Sequence, residues 1–171
     1  MKSGTRYWMA LYTRPFHEFK VREILERRGC EVFLPTRLSL DLRFQRKCLV
    51  EVPLFRSYVF LRAEPKSPEF YFAMNLPGVV YALSKNGLPL EIPEVEIQSL
   101  RILVESRYRD QLISHPRLIP GQCVVVTRGP FQGARGVVQR LDRETLHFVV
   151  NIQLLGQSVS VAVEPDWLKL C

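Results

Sequence analysis

The sequence predicts an α+β protein in which an N-terminal antiparallel sheet flanked by helices is joined by a linker to a small C-terminal β-barrel. Large apolar and aromatic side chains recur at strand spacing in residues 53–60, and apolar residues recur at helical spacing in residues 16–28. Only short strand-like runs follow Ile119. We therefore expect a first domain at residues 1–108, a linker at 109–118 and a barrel at 119–171.

Composition narrows the class of protein. The 171 residues are 47% hydrophobic and 24% charged, which are ordinary values for a globular chain. No apolar run approaches the roughly 20 residues that a membrane-spanning helix needs, and the first residues lack the apolar segment of a signal peptide. We expect a cytoplasmic monomer with no membrane partner.

Charge and chemistry-bearing residues favour a binding protein. The formal net charge is +7, and nearly all of it lies before Ile119, so an anionic partner would meet the first domain. Cys30, Cys48, Cys123 and Cys171 form no Cys-x-x-Cys pair, so we expect free thiols and no metal or other cofactor. The histidines and carboxylates form no recognisable catalytic arrangement, which argues against an enzyme.

The first elements follow from periodicity and from chain breakers. Residues 7–13 suit a buried strand, and the helix predicted at residues 16–28 is followed by Gly29, which suits a left-handed cap. Residues 30–34 suit a second strand, and residues 36–52 suit an antiparallel ribbon. The bases of the helix have glutamates at helical spacing, so a solvated face is the alternative to a binding face.

The rest of the first domain is marked by caps and turns. Ser67 can cap a short helix with Pro68 at its first position, and Asn86-Gly87 is a strong hairpin signal. The remaining predicted elements are a strand at residues 53–62, a strand at 79–83, a return strand at 88–92 and a helix from 93 to about 108.

The C-terminal part contains strand patterns only, at residues 123–127, 136–141, 145–152 and 157–163. In the turn at residues 128–136, three glycines allow positive φ or close backbone approach, and Phe131 can fold back into the end of the barrel. No helix and no Gly-Lys-Ser ending follow, so a phosphate-binding loop is not supported.

This turn carries a family resemblance. An apolar strand, a turn built from Gly129, Pro130, Phe131, Gly133 and Gly136, and two valines entering a second strand are similar to the KOW motif. With an α+β domain of this size before it, the whole chain resembles the NusG family of bacterial transcription elongation and antitermination factors. The stretch at residues 154–159 and the entry at 53–55 are more similar to specialised RfaH-like and UpxY-like members than to the housekeeping member.

The resemblance implies two contacts of the first domain. Trp8, Phe55 and Tyr58 would line an apolar depression that binds the clamp helices of RNA polymerase and keeps the elongation complex from pausing. In the specialised branch a basic patch contacts the exposed non-template DNA strand. The matching positions here are Arg14, Arg27 and Arg28.

The resemblance also implies a partner for the barrel, either a ribosomal protein of the small subunit or the termination factor Rho. Leu155 holds the place of an aromatic contact residue of the housekeeping factor, which puts Rho binding in doubt. Two further departures are Arg56, where the family commonly has proline, and residues 69–72, where RfaH has a short element that contacts the polymerase gate loop. The residues show no long helical period in the barrel region, so we expect it to remain a stable barrel.

The sequence leaves two alternatives open. Residues 53–60 could be a core strand with no partner, and a KOW-containing basic chain could be a ribosome-associated or RNA-binding protein that does not bind polymerase. Strict alternation would also place Phe55 and Tyr58 on opposite faces. Both can line one depression only if the strand begins at about Ser57 and Phe55 lies in the preceding loop.

Overall fold

The computed structural model has the predicted α+β class and forms two compact units. It describes residues 5–41, 48–106, 111–116, 121–140, 146–152, 155–164 and 167–171. The first unit comprises Met1–Leu34 and Phe55–Glu94, and the second comprises Pro35–Leu54 and Val95–Cys171. The ribbon and most of the third helix are thus grouped with the C-terminal strands, whereas the sequence assigned them to the first domain.

A four-stranded antiparallel sheet forms the centre of the first unit. Its strands are β1 (Tyr7–Thr13), β2 (Glu31–Phe33), β5 (Tyr58–Ala63) and β6 (Val79–Ala82), in the spatial order β2-β5-β1-β6. Two helices, α1 (Glu18–Arg27) and α2 (Pro68–Met74), and a small hairpin of β7 (Ser84–Lys85) and β8 (Leu88–Pro89) complete it. The sheet strands, both helices and the hairpin turn were expected from the sequence, but the hairpin is formed by β7 and β8 rather than by residues 79–83 and 88–92.

One face of this sheet forms the core of the first unit. Met9 and Leu11 of β1 and Leu61 of β5 are fully buried against Val21 and Leu25 of α1. Because side chains alternate along a strand, the residues between them face the other way. The helices therefore cover one side of the sheet, and Trp8, Tyr12, Tyr58 and Phe60 lie on the opposite side.

Local signals account for the ends of the elements. The Ser67 hydroxyl accepts the Phe70 N–H at 3.1 Å with Pro68 at the first helical position, as predicted for α2. Asn86 and Gly87 have φ of 53° and 76°, as a two-residue hairpin turn requires. The first helix starts at Glu18 rather than at Phe16, whose φ of 65° is incompatible with a helix.

The second unit contains a six-stranded antiparallel sheet in the order β14-β10-β11-β12-β13-β9. Its strands are β9 (Ile113–Pro116), β10 (Gln122–Val126), β11 (Arg135–Arg140), β12 (Leu146–Ile152), β13 (Gln157–Ala162) and β14 (Leu168–Leu170). The unit also includes the ribbon of β3 (Thr36–Asp41) and β4 (Cys48–Pro53), and all of helix α3 (Glu94–Glu105) except its first residue. The basic tip predicted for the ribbon lies outside the described residues.

The segment predicted as a linker contains a strand. Residues 113–116 form β9, which pairs with β13 in antiparallel register from Ser160↔Ile113 to Gln157↔Pro116. Pairing at a sheet edge supplies backbone hydrogen bonds that do not depend on a periodic side-chain pattern, so this strand carries no periodic signal in the sequence. The domain boundaries at 108 and 119 remain a prediction.

The glycine-rich turn has the conformation that its sequence predicts. Gly129 and Gly133 have positive φ of 79° and 91°, and Phe131 is only 2% exposed, as expected for a side chain that fills the end of the sheet. Gly136 allows close approach instead, because a Cβ atom there would lie 2.3 Å from the Val149 carbonyl oxygen. Within the described residues, no helix is long and apolar enough to cross a membrane.

We expect Gly136→Ala to destabilise the second unit by about 2 kcal/mol or more, because the added methyl group overlaps the backbone of β12. Gly156→Ala is the control. Gly156 has φ of 61° and open space around it, so its replacement costs only the left-handed conformation, about 1 kcal/mol. Urea unfolding measures both, and equal losses would contradict the steric argument.

Candidate functional site

The turn before β5 has the geometry that would let Phe55 and Tyr58 line one depression. The strand begins at Tyr58, and Phe55 lies in the preceding turn with Ser57 at φ 64°. The Tyr58 N–H donates to the Phe55 carbonyl at 3.3 Å. Because Phe55 lies before β5, its side chain does not follow the alternation of side chains between the two faces of the sheet, as expected.

Two hydrogen bonds hold this turn in place. The Glu18 carboxylate, which is 4% exposed at the start of α1, accepts the Ser57 N–H at 2.7 Å. The Ser57 carbonyl accepts the Thr13 N–H at 2.8 Å. Helix α1, strand β1 and the turn are thus tied together at one point, which fixes where β5 starts.

Three tyrosines meet on the sheet face opposite α1 and α2. Strand pairing places Tyr12 beside Tyr58 on one side and beside Tyr81 on the other. The Tyr12 ring meets Tyr58 edge-on at 5.4 Å between centroids and stacks on Tyr81 at 4.9 Å. Tyr81 is 45% exposed, and the other two are half-buried. We call Tyr12, Tyr58 and Tyr81 the tyrosine face.

The other two predicted polymerase-contact residues lie in the core. Trp8 is 1% exposed and donates its indole N–H to Glu94 at 3.1 Å. Phe55 is fully buried and packs edge-on against Phe60 at 6.1 Å. Burial removes their large apolar surfaces from water, so the core interpretation applies to both in this structure, and only Tyr58 of the three reaches the surface.

Tyr12 and Tyr81 are not among the site residues that the sequence predicts. Both lie in strands that the sequence predicts as apolar. Their proximity depends on strands that are about 70 residues apart, and the order β5-β1-β6 was not predicted. A tyrosine near the end of each of two strands was the signal, but without the register it does not specify a cluster.

The three predicted DNA-binding arginines do not form one patch. Arg14 is exposed in the turn before α1, and its N–H donates to Gly78. Arg27 and Arg28 follow at the other end of that ten-residue helix, about 15 Å away along its axis. Arg27 pairs with Glu23 at 2.5 Å, and the Arg28 guanidinium lies 5.2 Å from the Phe72 ring centroid.

Phe16 lies in the same turn as Arg14 and was not predicted to be exposed. Phe16, which the sequence assigned to the apolar side of the helix, is 96% exposed and has φ of 65°. A bulky residue with positive φ is conformationally costly, and a fully exposed phenyl ring gains nothing from burial. Phe16 and Arg14 together form an exposed aromatic and cationic turn.

The structure also shows where the two departures from the family pattern lie, Arg56 and residues 69–72. Arg56 is exposed in the turn before β5, and residues 69–72 lie in α2, where Glu69 pairs with Arg6 at 3.2 Å. Leu155 is half-buried before Gly156 in the second unit. Near the glycine-rich turn, Pro130, Phe131 and Trp167 line a cavity of about 320 Å3.

The described residues contain no group of three or more His, Cys, Asp or Glu side chains that could hold a metal ion. Cys30, the cysteine of the first unit, is also unsuited to act as a nucleophile. Burial, followed by the carboxylate of Glu69, raises the pKa of the Cys30 thiol, which keeps it protonated. Tyr58 is affected similarly, because burial and then Tyr81 and Tyr12 raise its pKa.

Comparison with known proteins identifies the family. The family model described as "Transcription termination factor nusG" matches residues 6–101, more than half of the chain. The chain belongs to the NusG family. It is 22% identical to the transcription termination/antitermination protein NusG of Rickettsia bellii, with 98% of this chain and 92% of the relative covered. NusG of Buchnera aphidicola is 24% identical, with 78% and 74% covered.

The fold agrees with this assignment. The structure titled "Domain interaction in Thermotoga maritima NusG" is similar with a TM-score of 0.54 and 21% identity, covering 97% of each chain. NusG family proteins are transcription factors rather than enzymes, as the sequence predicted for this chain. The family match covers the whole four-stranded sheet, including the tyrosine face.

We expect the first unit to lose stability as pH rises above 10. Because the pKa of Tyr58 in the folded protein lies above its ordinary value of 10.0, the tyrosine contributes stability that is full below pH 10 and is lost as pH rises through the folded pKa. Tyr58→Phe should reduce this alkaline loss. Urea unfolding at pH 8 and at about pH 11 measures it.

Tyr71→Phe, at an exposed tyrosine on α2, is the control. Part of the loss should persist in both variants, because burial and Glu91 also raise the pKa of Tyr7. An alkaline loss in Tyr58→Phe equal to that of the unchanged protein would contradict the prediction.

Proposed function

We propose that this NusG family protein is a specialised transcription elongation and antitermination factor that binds RNA polymerase through the tyrosine face and suppresses pausing or termination in the cytoplasm. The observation that carries the proposal is the contact of Tyr12 with both Tyr58 and Tyr81 on the side of the sheet that α1 and α2 leave uncovered. In this proposal residues 1–108 bind polymerase and residues 119–171 recruit a further partner.

The chemistry of the tyrosine face suits a helical partner. Tyrosine supplies a rigid apolar ring and a polar hydroxyl, and residues of this type are enriched among the few that dominate binding energy at interfaces. The rings are already held by one another, so little conformational freedom would be lost on binding. The apolar ridge of a helix, as in the polymerase clamp helices that the resemblance implies, would pack on such a surface.

Trp8 and Phe55 would then support the surface from within. Both are buried, and Phe55 packs against Phe60, which lies on the same sheet face as Tyr58. Their replacement would weaken polymerase binding indirectly, by unsettling β1 and the turn before β5. Tyr81 becomes the residue whose removal tests the contact itself.

We further propose that a single DNA strand, the exposed non-template strand, is contacted by the turn at Arg14 and Phe16. An exposed ring stacks on a base and an adjacent guanidinium pairs with a phosphate, which together suit a looped strand. Arg27 and Arg28 would contribute less, because Arg27 pairs with Glu23 and Arg28 lies over Phe72 at the far end of the helix. A DNA element read in this way would recruit the factor to particular operons.

For the second unit we propose a small-subunit ribosomal protein as partner rather than Rho, since Leu155 replaces the aromatic residue of the housekeeping factor. The second candidate function is a ribosome-associated or RNA-binding protein that does not bind polymerase, which the net charge of +7 favours. The following experiment separates the two.

We expect Tyr81→Ala to weaken binding of the full chain to core RNA polymerase about 10-fold or more, because the variant removes the most exposed ring of the tyrosine face. Tyr71→Ala, which removes a tyrosine of similar exposure from α2, should change the affinity less than about 3-fold. Fluorescence anisotropy with labelled polymerase gives both dissociation constants. Equal affinity of Tyr81→Ala and the unchanged protein would count against the tyrosine face, and failure of the unchanged protein to bind polymerase would favour the second candidate.

We expect Phe16→Ala to weaken binding of a single-stranded DNA oligonucleotide by about 5-fold or more, since stacking on one base contributes about 1–3 kcal/mol. Arg14→Gln should lower the slope of log affinity against log salt by about 0.7, the value for one phosphate contact on a single strand. Arg27→Gln is the matched control and should leave that slope unchanged. A loss of slope in Arg27→Gln equal to that in Arg14→Gln would indicate diffuse electrostatic binding.

A further inference from the structure

Two cysteines lie opposite each other on neighbouring strands of the second unit. The register of β10 and β14 pairs Val124 with Leu170, and the residue before Val124 and the residue after Leu170 are both cysteines. The Cys171 N–H donates to the Cys123 carbonyl at 3.1 Å, and the two sulfur atoms are 2.6 Å apart with the Cys123 thiol donating to Cys171. Hydrogen-bonded partners in an antiparallel pair have Cα atoms about 5.5 Å apart, which is within the range that a disulfide spans.

Both thiols can be reached from solvent, unlike the cysteine of the first unit. Cys123 and Cys171 are exposed, whereas Cys30 is buried. The hydrogen bond to Cys171 and partial burial raise the pKa of Cys123, although Arg135 acts in the opposite direction. The raised pKa makes Cys123 the weaker nucleophile of the two, so the first attack on an oxidant is assigned to Cys171.

We propose that Cys123 and Cys171 are the site of a reversible intramolecular disulfide formed by exchange with a low-molecular-weight disulfide of the glutathione class. The Cys171 thiolate attacks one sulfur of the oxidant, which releases one thiolate and leaves a mixed disulfide on Cys171. Cys123 then loses its proton and attacks the Cys171 sulfur, which releases the second thiolate. The two protein thiols lose two electrons and two protons, and one oxidised glutathione becomes two reduced glutathiones.

The bond would fix the strand that packs beside the glycine-rich turn. The N–H and hydroxyl of Thr127 both donate to the carbonyl of Trp167, at 2.7 and 3.0 Å, just before β14 begins. The Trp167 ring lies against Gly129, where a Cβ atom would be 2.8 Å from it. A covalent link at the end of β14 therefore also restrains Trp167 and the turn that it covers, and it closes a loop of nearly fifty residues in the unfolded chain.

The test uses the full chain equilibrated in glutathione buffers of varied ratio, followed by acid quenching, maleimide labelling and intact mass measurement. The unchanged protein should lose two labelling sites and two hydrogen atoms without gaining glutathione, and proteolysis should yield one linked peptide pair holding Cys123 and Cys171. Cys48→Ser removes another exposed cysteine and should leave this result unchanged. Cys123→Ser and Cys171→Ser should each abolish it, and their circular dichroism spectra establish that they are folded.

Stability supplies an independent readout. The oxidised protein should unfold at a midpoint about 10 °C higher than the reduced protein in the transition of the second unit, because closure of a long loop constrains the unfolded chain. Cys48→Ser should show the same shift, and Cys171→Ser should show none. Disulfide-linked dimers, glutathione adducts as the only product, or an oxidised protein with an unchanged midpoint would each overturn the proposal.

Discussion

The hydrogen bond from the Ser57 amide to the buried Glu18 carboxylate is the constraint on which the first unit depends. A carboxylate at the first residue of a helix is favoured by the unpaired N–H groups there, and a charged acceptor makes this bond about twice as strong as a neutral one. The bond holds Ser57 at φ 64°, a conformation that a serine would otherwise leave. Without it the turn would relax, and a shift of β5 by one residue would move Tyr58 to the opposite face of the sheet.

The same constraint explains how aromatic residues are divided between core and surface. Because β5 starts only at Tyr58, Phe55 is free to turn inward under Phe60, while Tyr58 emerges beside Tyr12. The positive φ of Ser57 also limits which residues fit at this position. Small residues and residues with short polar side chains tolerate the left-handed region, whereas β-branched residues do not.

Much of the fold could be predicted from the sequence because its signals are local. Ser67-Pro68, Asn86-Gly87 and the glycine-rich turn each specify a backbone conformation within a few residues, and Phe131 is buried as expected. Features that depend on distant partners were not predictable. Strand β9 forms only because β13 offers an edge, and the tyrosine face depends on the strand order. Phe16 was misassigned because an apolar residue at helical spacing does not indicate whether the helix has started.

Trp167, which packs on Gly129, and Trp8 give the two compact units separate sources of fluorescence. The chain has only two tryptophans, and one lies in each compact unit. Trp8 is buried and hydrogen-bonded to Glu94, while Trp167 is half-buried beside the glycine-rich turn. Each unit thus carries its own intrinsic fluorophore in a distinct environment. The protein is naturally equipped to report on its two halves separately, so their folding and any partner that reaches either one can be followed by emission without an added label.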